Sequence, residues 1–232
     1  MPKLYGPEHT TYVIVCVLVA IATLVLAKMF AKTEKSQNIV LRSAGGILFL
    51  IILINRIALV FEYDTVNWVE MLTDSICSTS SYVLGVSLLF GKKDNCVLHF
   101  VWMISLAGGV ITTFFPNFIG QHPSFMYPPT ILGLMHHTVS AIVVMLMLMF
   151  KYIHITYKKW YYTLWGLTCY LSYGAFLLCV LKIGNPFYMV SPALDNTPFT
   201  IWVLIPIYAV VYSCVLLGFE LVRKYKKNVV TE

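Results

Sequence analysis

Charge is scarce in this chain and unevenly placed. Only 11% of its 232 residues are Asp, Glu, Lys or Arg, against roughly 25% in a soluble domain. Hydrophobic residues make up 59%, and the mean hydropathy is +0.80. That balance excludes a water-soluble globular enzyme, and equally a disordered or fibrous chain. The six cysteines, at 16, 77, 96, 169, 179 and 214, form no CxxC pair and no metal-ligand spacing. Most sit inside apolar runs, where a free thiol behaves as a small hydrophobe, so neither a disulfide framework nor a zinc site is expected. Lys and Arg are missing altogether from residues 61–68 and 115–130. The net charge of +6 therefore reflects clusters between apolar runs. It leaves no basic, aromatic-interleaved groove for nucleic acid.

What the chain has in abundance is long apolar runs. They cover about 12–30, 39–61, 68–90, 96–115, 130–150, 160–183 and 199–221, each long enough to cross hydrocarbon as a helix. The runs are continuously apolar, which excludes the short alternating segments of a barrel. The expectation is an all-α polytopic membrane protein, a seven-transmembrane-helix bundle filling one domain over 1–232, with no internal repeat. The first run follows Glu8 and leads into Lys28, Lys32 and Lys35, which suits a retained span better than a cleaved signal peptide.

Thirteen of the sixteen basic residues fall in four clusters: Lys28, Lys32, Lys35 and Arg42; Lys92 and Lys93; Lys151, Lys158 and Lys159; and Arg223, Lys224, Lys226 and Lys227. These flank alternate loops and the tail. By the positive-inside bias the N-terminus is outside and the C-terminus cytoplasmic, in a multi-pass protein of the cell membrane.

With that orientation the polar residues sort to the outer side. A helical rise counted from residue 68 puts Cys77 roughly 13 Å deep, and one counted from 130 puts His136 and His137 roughly 10 Å deep. His9 lies at the mouth of span one and Arg56 near the outer end of span two. Asp74 and Glu70 are the expected partners of Arg56, because a cation within a membrane must be paired. Adjacent histidines diverge by about 100° on a helix, so one can serve as base while the other packs. Cys77 stands in Asp74-Ser-Ile-Cys-Ser-Thr-Ser-Ser81, the most polar stretch of any run. Small polar residues there also suit helix packing.

The chemistry these types allow is acyl transfer. A thiolate is the reactive form of cysteine, and a neighbouring His or Arg supports it. Cys77 with a span-five histidine is the pairing that a nucleophile and its base need. No cofactor is called for. No metal site is expected either, since the histidines lack a third ligand at metal spacing.

At these same residues the chain resembles the YwaF-like integral membrane proteins and their eukaryotic relative, transmembrane protein 164. Tyr5-Gly6-Pro7-Glu8-His9 is similar to the opening aromatic and histidine of that group. Met71-Leu72-Thr73-Asp74-Ser75-Ile76-Cys77-Ser78 stands where its LPLxLC-like segment falls, with Thr73-Asp74-Ser75 replacing the Leu/Pro lead-in. Gly108-Gly109 followed by Phe114-Phe115-Pro116 is similar to its glycine-to-proline run. His136-His137 covers its span-five histidine. Asn185-Pro186-Phe187-Tyr188-Met189, with Pro192, resembles its Asn-Tyr-Met loop, interrupted by Pro186-Phe187.

The resemblance implies phospholipid remodelling through a thioester. Cys77 takes an acyl chain from a membrane phospholipid, aided by His137 or His136 with His137 preferred, and passes it to a lysophospholipid. His9, Arg56, Asp74, Asn185 and Tyr188 are the expected substrate-binding or supporting residues. An outer site is remote from cytosolic acyl-CoA, so the donor is expected to be a phospholipid and the enzyme a transacylase or related hydrolase. The loop from Phe115 to Thr130, with Pro116, His122, Pro123, Pro128 and Pro129, is the expected headgroup rim. Other readings stay open: a transporter or channel, or a small-ligand sensor, built around Arg56 without covalent chemistry, and a partner-binding scaffold in which Cys77 is dispensable.

Overall fold

The structure is a computed structural model describing residues 3–62, 66–116, 123–193 and 196–231, with the last helix beyond residue 225 described as backbone only. Among the described residues the architecture is all-helical. Seven α-helices run α1 Pro7–Phe30, α2 Glu34–Val60, α3 Ile76–Phe90, α4 Cys96–Phe114, α5 Pro128–Met149, α6 Tyr161–Cys179 and α7 Ile201–Thr231. Short 3-10 turns cover Trp68–Met71, Tyr157–Lys159 and Pro186–Tyr188. Five helices (α1, α2, α4, α5 and α7) are long and apolar enough to cross a membrane. The protein is thus a membrane protein. The other two differ: α3 has only 15 residues, and α6 carries Tyr161, Tyr162, Tyr170 and Tyr173 in its 19 residues.

The chain divides into two compact units, residues 1–73 with 77–152, and residues 74–76 with 153–232. In the first unit α5 is the central helix, packing most extensively on α4 and α2, while α1 leaves nearly all of its apolar surface exposed. Side chains such as Ile14, Leu18, Ile21 and Leu26 stand on that outer surface, as hydrocarbon-facing residues must. Local sequence explains where the helices start. Pro7 and Pro128 occupy first-turn positions where a missing N–H costs nothing. Thr33 and Ser36 exchange backbone bonds of 3.1 Å in a capping box at α2. Asn95 Oδ1 accepts from Leu98 N–H at 3.0 Å to cap α4. Glycine permits close helix approach: a Cβ on Gly45 of α2 would lie 2.7 Å from Leu88 Cβ of α3.

The second unit holds α6 and α7. Trp202 Nε1 donates to the Met189 carbonyl at 3.1 Å, and Glu220 accepts from Thr156 Oγ1 at 3.0 Å. Arg223 Nη2 donates to the Ile155 carbonyl.

The expected third span, 68–90, is corrected. It is not one helix. Asn67 Oδ1 caps a 3-10 turn through Val69 N–H at 3.2 Å, residue 72 is extended, and α3 begins only at Ile76. The polar run Thr73-Asp74-Ser75 explains the break, because short polar side chains bond the local backbone in place of a helix. From inside α3, Thr79 Oγ1 donates to Thr73 Oγ1 at 2.8 Å and reaches the Thr73 carbonyl at 3.3 Å, tying the break to the helix.

Candidate functional site

Cys77 is therefore the second residue of α3, not a residue a third of the way down a continuous span. The depth counted from residue 68 does not apply. What places the sulfur is α4: a Cβ on Gly108 would lie 2.8 Å from Cys77 Sγ, so the thiol packs directly on that glycine. Gly108 is six residues before the end of α4, about 9 Å along its axis. Helix α3 thus starts recessed beside α4, and its 15 residues span only about 22 Å. Non-helical backbone at such a depth is tolerated where protein buries it or a cavity is lined by it. The start of a helix also carries partial positive charge from its unpaired N–H groups.

The next residue, Gly109, faces α5. A Cβ there would lie 2.5 Å from the His137 carbonyl and 2.9 Å from Ala141 Cβ. Two adjacent glycines on α4 thus receive the Cys77 sulfur on one side and the backbone of His137 on the other. One turn along, Ser140 Oγ donates to the Ser105 carbonyl at 3.2 Å. His136 is eight residues into α5, about 12 Å from its start. The α4 glycine pair thus bears the Cys77 sulfur at Gly108 and the His137 backbone at Gly109, one residue apart along the helix.

Both histidines are buried. Their rings lie 4.1 Å apart, centroid to centroid, with planes tilted by 35°. The expected divergence of adjacent helix positions is undone by side-chain rotation, so the two imidazoles form one patch. Nδ1 of each has no hydrogen-bond partner among the described residues. Buried polar atoms are nearly always satisfied, so these two nitrogens are exceptions among the described residues. Arg56 of α2 is buried and close enough for its charge to act on His136. Its Nη1 reaches the carbonyls of Glu70 at 3.5 Å and Leu72 at 3.4 Å, long contacts onto the lead-in to α3. Next to it, Asn55 Nδ2 donates to the Pro129 carbonyl at 3.3 Å.

Of the two acids expected beside Arg56, Glu70 is met through its backbone carbonyl. Asp74 is exposed and belongs to the second unit, where its carbonyl accepts from Phe187 N–H at 2.7 Å. Phe187 is fully buried in the left-handed region (φ 54°, ψ 24°), packed on Tyr170 and Tyr173. A bulky residue held there is an outlier that its surroundings must impose. Asn185 closes that same loop: its Oδ1 accepts from Val190 N–H at 2.9 Å and Ser191 N–H at 3.0 Å, and its Nδ2 donates to the Ser191 carbonyl at 3.2 Å. Tyr188, φ 59°, follows in the turn. These two residues shape a loop of the second unit.

His9 is buried and saturated. Its Nδ1 accepts from Tyr5 N–H at 3.2 Å, and Nε2 meets the Thr113 carbonyl at 3.1 Å. It ties the start of α1 to the end of α4. From the expected rim, His122 lies outside the described residues, while Pro128 and Pro129 open α5.

The sequence reading did not single out Ser105 or Ser140. The signal was helical spacing: Ser105 precedes Gly108 by three residues, and Ser140 follows His137 by three, which puts each on its partner's face.

Long apolar helices, a thiol packed on an α4 glycine and a buried pair of imidazoles together define a membrane protein with polar groups in its interior. The chain belongs to the TMEM164 family, whose model matches residues 4–222. The match bears out the transmembrane protein 164 side of the expected resemblance. No curated protein and no solved structure matches the chain.

Proposed function

We propose that this protein is a phospholipid transacylase of the cell membrane, crossing it seven times with the N-terminus outside and the C-terminus in the cytoplasm. The observation that carries the reading is the α4 glycine pair. Gly108 receives the Cys77 sulfur, and Gly109 receives the backbone of His137, whose ring joins a patch of unpartnered imidazole nitrogens. The alternation of basic clusters supports the orientation. The count of seven adds the short α3 and the tyrosine-rich α6 to the five long apolar helices.

The reaction runs in two balanced halves. His137 takes the thiol proton as Cys77 sulfur attacks the ester carbonyl of a membrane phospholipid. The C–S bond forms, the carbonyl oxygen becomes an oxyanion, and its collapse breaks the ester C–O bond. The departing lysolipid oxygen takes the proton from His137. An acceptor lysophospholipid then attacks the thioester, His137 takes its hydroxyl proton, and that proton returns to the Cys77 sulfur as the new ester leaves. No oxidant, nucleotide or activated donor enters. Arg56, anchored on the Glu70 and Leu72 carbonyls, holds the lead-in that sets where α3 starts.

The test is acyl exchange in lipid nanodiscs holding a phospholipid with deuterated acyl chains and an unlabelled lysophospholipid. Wild type is expected to move label into the acceptor, and Cys77→Ala to lose the transfer by 1,000-fold or more, on the order of what removing a nucleophile costs. Absence of exchange across a panel of headgroups, or exchange that survives Cys77→Ala, would overturn the reading. Weight would then pass to a transport or sensing role centred on Arg56.

A further inference from the structure

Hydroxyls inside apolar helices ordinarily turn back to the carbonyl four residues earlier. Thr113 donates to Gly109 at 2.7 Å, Thr138 to Leu134 at 3.1 Å, Thr168 to Leu164 at 2.9 Å and Ser213 to Ala209 at 2.7 Å. Ser105 does not. It is 2% exposed, lies mid-way along α4, and its Oγ has no hydrogen-bond partner among the described residues. A buried hydroxyl left this way costs stability, and a nearby remedy is geometrically routine.

Its position gives the orphan a use. Ser105 comes three residues before Gly108 and four before Gly109, so it sits on the face between them, about 5–6 Å from either at the Cβ level. Gly108 faces the Cys77 sulfur and Gly109 faces α5. Helical position therefore places Ser105 between the Gly108 face that receives the Cys77 sulfur and the Gly109 face that packs on the His137 backbone, one turn from both. Its main chain is fixed there by Ser140 Oγ on the Ser105 carbonyl. A nucleophile with a base on one side and an unengaged donor on the other is the layout that acyl transfer requires.

We propose that Ser105 is the hydrogen-bond donor for the reacting carbonyl oxygen of the lipid ester, a catalytic residue that holds the oxyanion while the C–S bond forms. The assignment rests on the transacylase reading above. No described residue engages the Ser105 Oγ proton, and the ester carbonyl is its partner in this proposal.

The test measures the rate of acyl-adduct formation on Cys77 in nanodiscs for wild type, Ser105→Ala and Ser105→Thr, together with alkylation of Cys77 by N-ethylmaleimide and thermal midpoints in the same nanodiscs. Ser105→Ala is expected to slow acylation by about 100-fold, the loss of one oxyanion donor. Its maleimide rate should stay unchanged and its midpoint equal or higher, because it removes an unsatisfied group. Ser105→Thr, which keeps a hydroxyl, is expected to recover most of the rate. Acylation at the wild-type rate in Ser105→Ala overturns the role of Ser105 while leaving Cys77 as the nucleophile. A lowered midpoint with a slowed maleimide reaction marks Ser105 as structural and also overturns it. No adduct in wild type overturns the transacylase reading, and the Ser105 assignment with it.

Discussion

Two polar clusters share the α4–α5 seam, and they are built differently. Towards the end of α4, His9, Tyr12, Thr113 and Thr138 form a closed network. His9 Nε2 meets the Thr113 carbonyl at 3.1 Å, and Thr138 Oγ1 touches both Thr113 Oγ1 and Tyr12 OH at 2.9 Å. One turn away, Cys77, Ser105, His136 and His137 lie within the same bundle, yet Ser105 Oγ and both imidazole Nδ1 atoms are without partners among the described residues. The first cluster joins α1, α4 and α5, as satisfied polar groups do between apolar helices. The second costs stability as it stands. The second group is the one on which the proposed chemistry draws.

Gly109 is where the clusters meet, since its carbonyl accepts Thr113 Oγ1 and its Cα faces His137 and Ala141. Gly109→Ala should have the largest effect. Its Cβ would meet a backbone carbonyl at 2.5 Å, which no rotamer relieves, so overpacking should cost about 3 kcal/mol or more and the yield of folded protein should collapse in size-exclusion chromatography. Gly108→Ala separates chemistry from folding. Its Cβ meets only the Cys77 side chain, with the movable sulfur at 2.8 Å and Cβ at 3.6 Å, so the protein should fold normally while acyl transfer falls by about 100-fold, the penalty for misplacing a reacting atom by about 1 Å.

His9→Ala works from the closed side. It strips partners from the Tyr5 N–H and the Thr113 carbonyl, and should destabilise by about 1–3 kcal/mol with the rate of Cys77 acylation unchanged in the folded fraction. Tyr12→Phe removes a single contact with Thr138 and should cost about 1 kcal/mol, read as a small drop in thermal midpoint. If His9→Ala instead abolished acylation with stability intact, the division between the clusters would be wrong.

Much of this was legible in the sequence. Apolar runs located α1, α2, α4, α5 and α7, because span length is set by hydrocarbon thickness. The expected runs beginning near 12, 96 and 130 start within α1, α4 and α5. The third run misled, since hydropathy averages over a window and cannot register that Thr73-Asp74-Ser75 diverts the backbone before Ile76. For Cys77 the helical count from residue 68 used a helix that does not exist, and the recess beside Gly108 supplied the depth instead. Arg56 was readable as an interior cation, but its carbonyl partners depend on a 3-10 turn that no charge pattern encodes. His9 looked like a member of the chemistry because a histidine's role is set by what its nitrogens meet. Ser105 went unnoticed for the converse reason, as only coordinates reveal a hydroxyl that declines its usual bond. Asn185 and Tyr188 lie in a loop shaped by the left-handed Phe187, a conformation that nothing in its residue type suggests.

The most direct measurement is the intact mass of purified protein after incubation with phospholipid nanodiscs. Wild type is expected to gain one fatty-acyl mass that hydroxylamine removes, and Cys77→Ala to gain none. A wild-type mass that stays unmodified while acyl exchange proceeds, or an adduct that persists in Cys77→Ala, would contradict the assignment of Cys77 as the nucleophile.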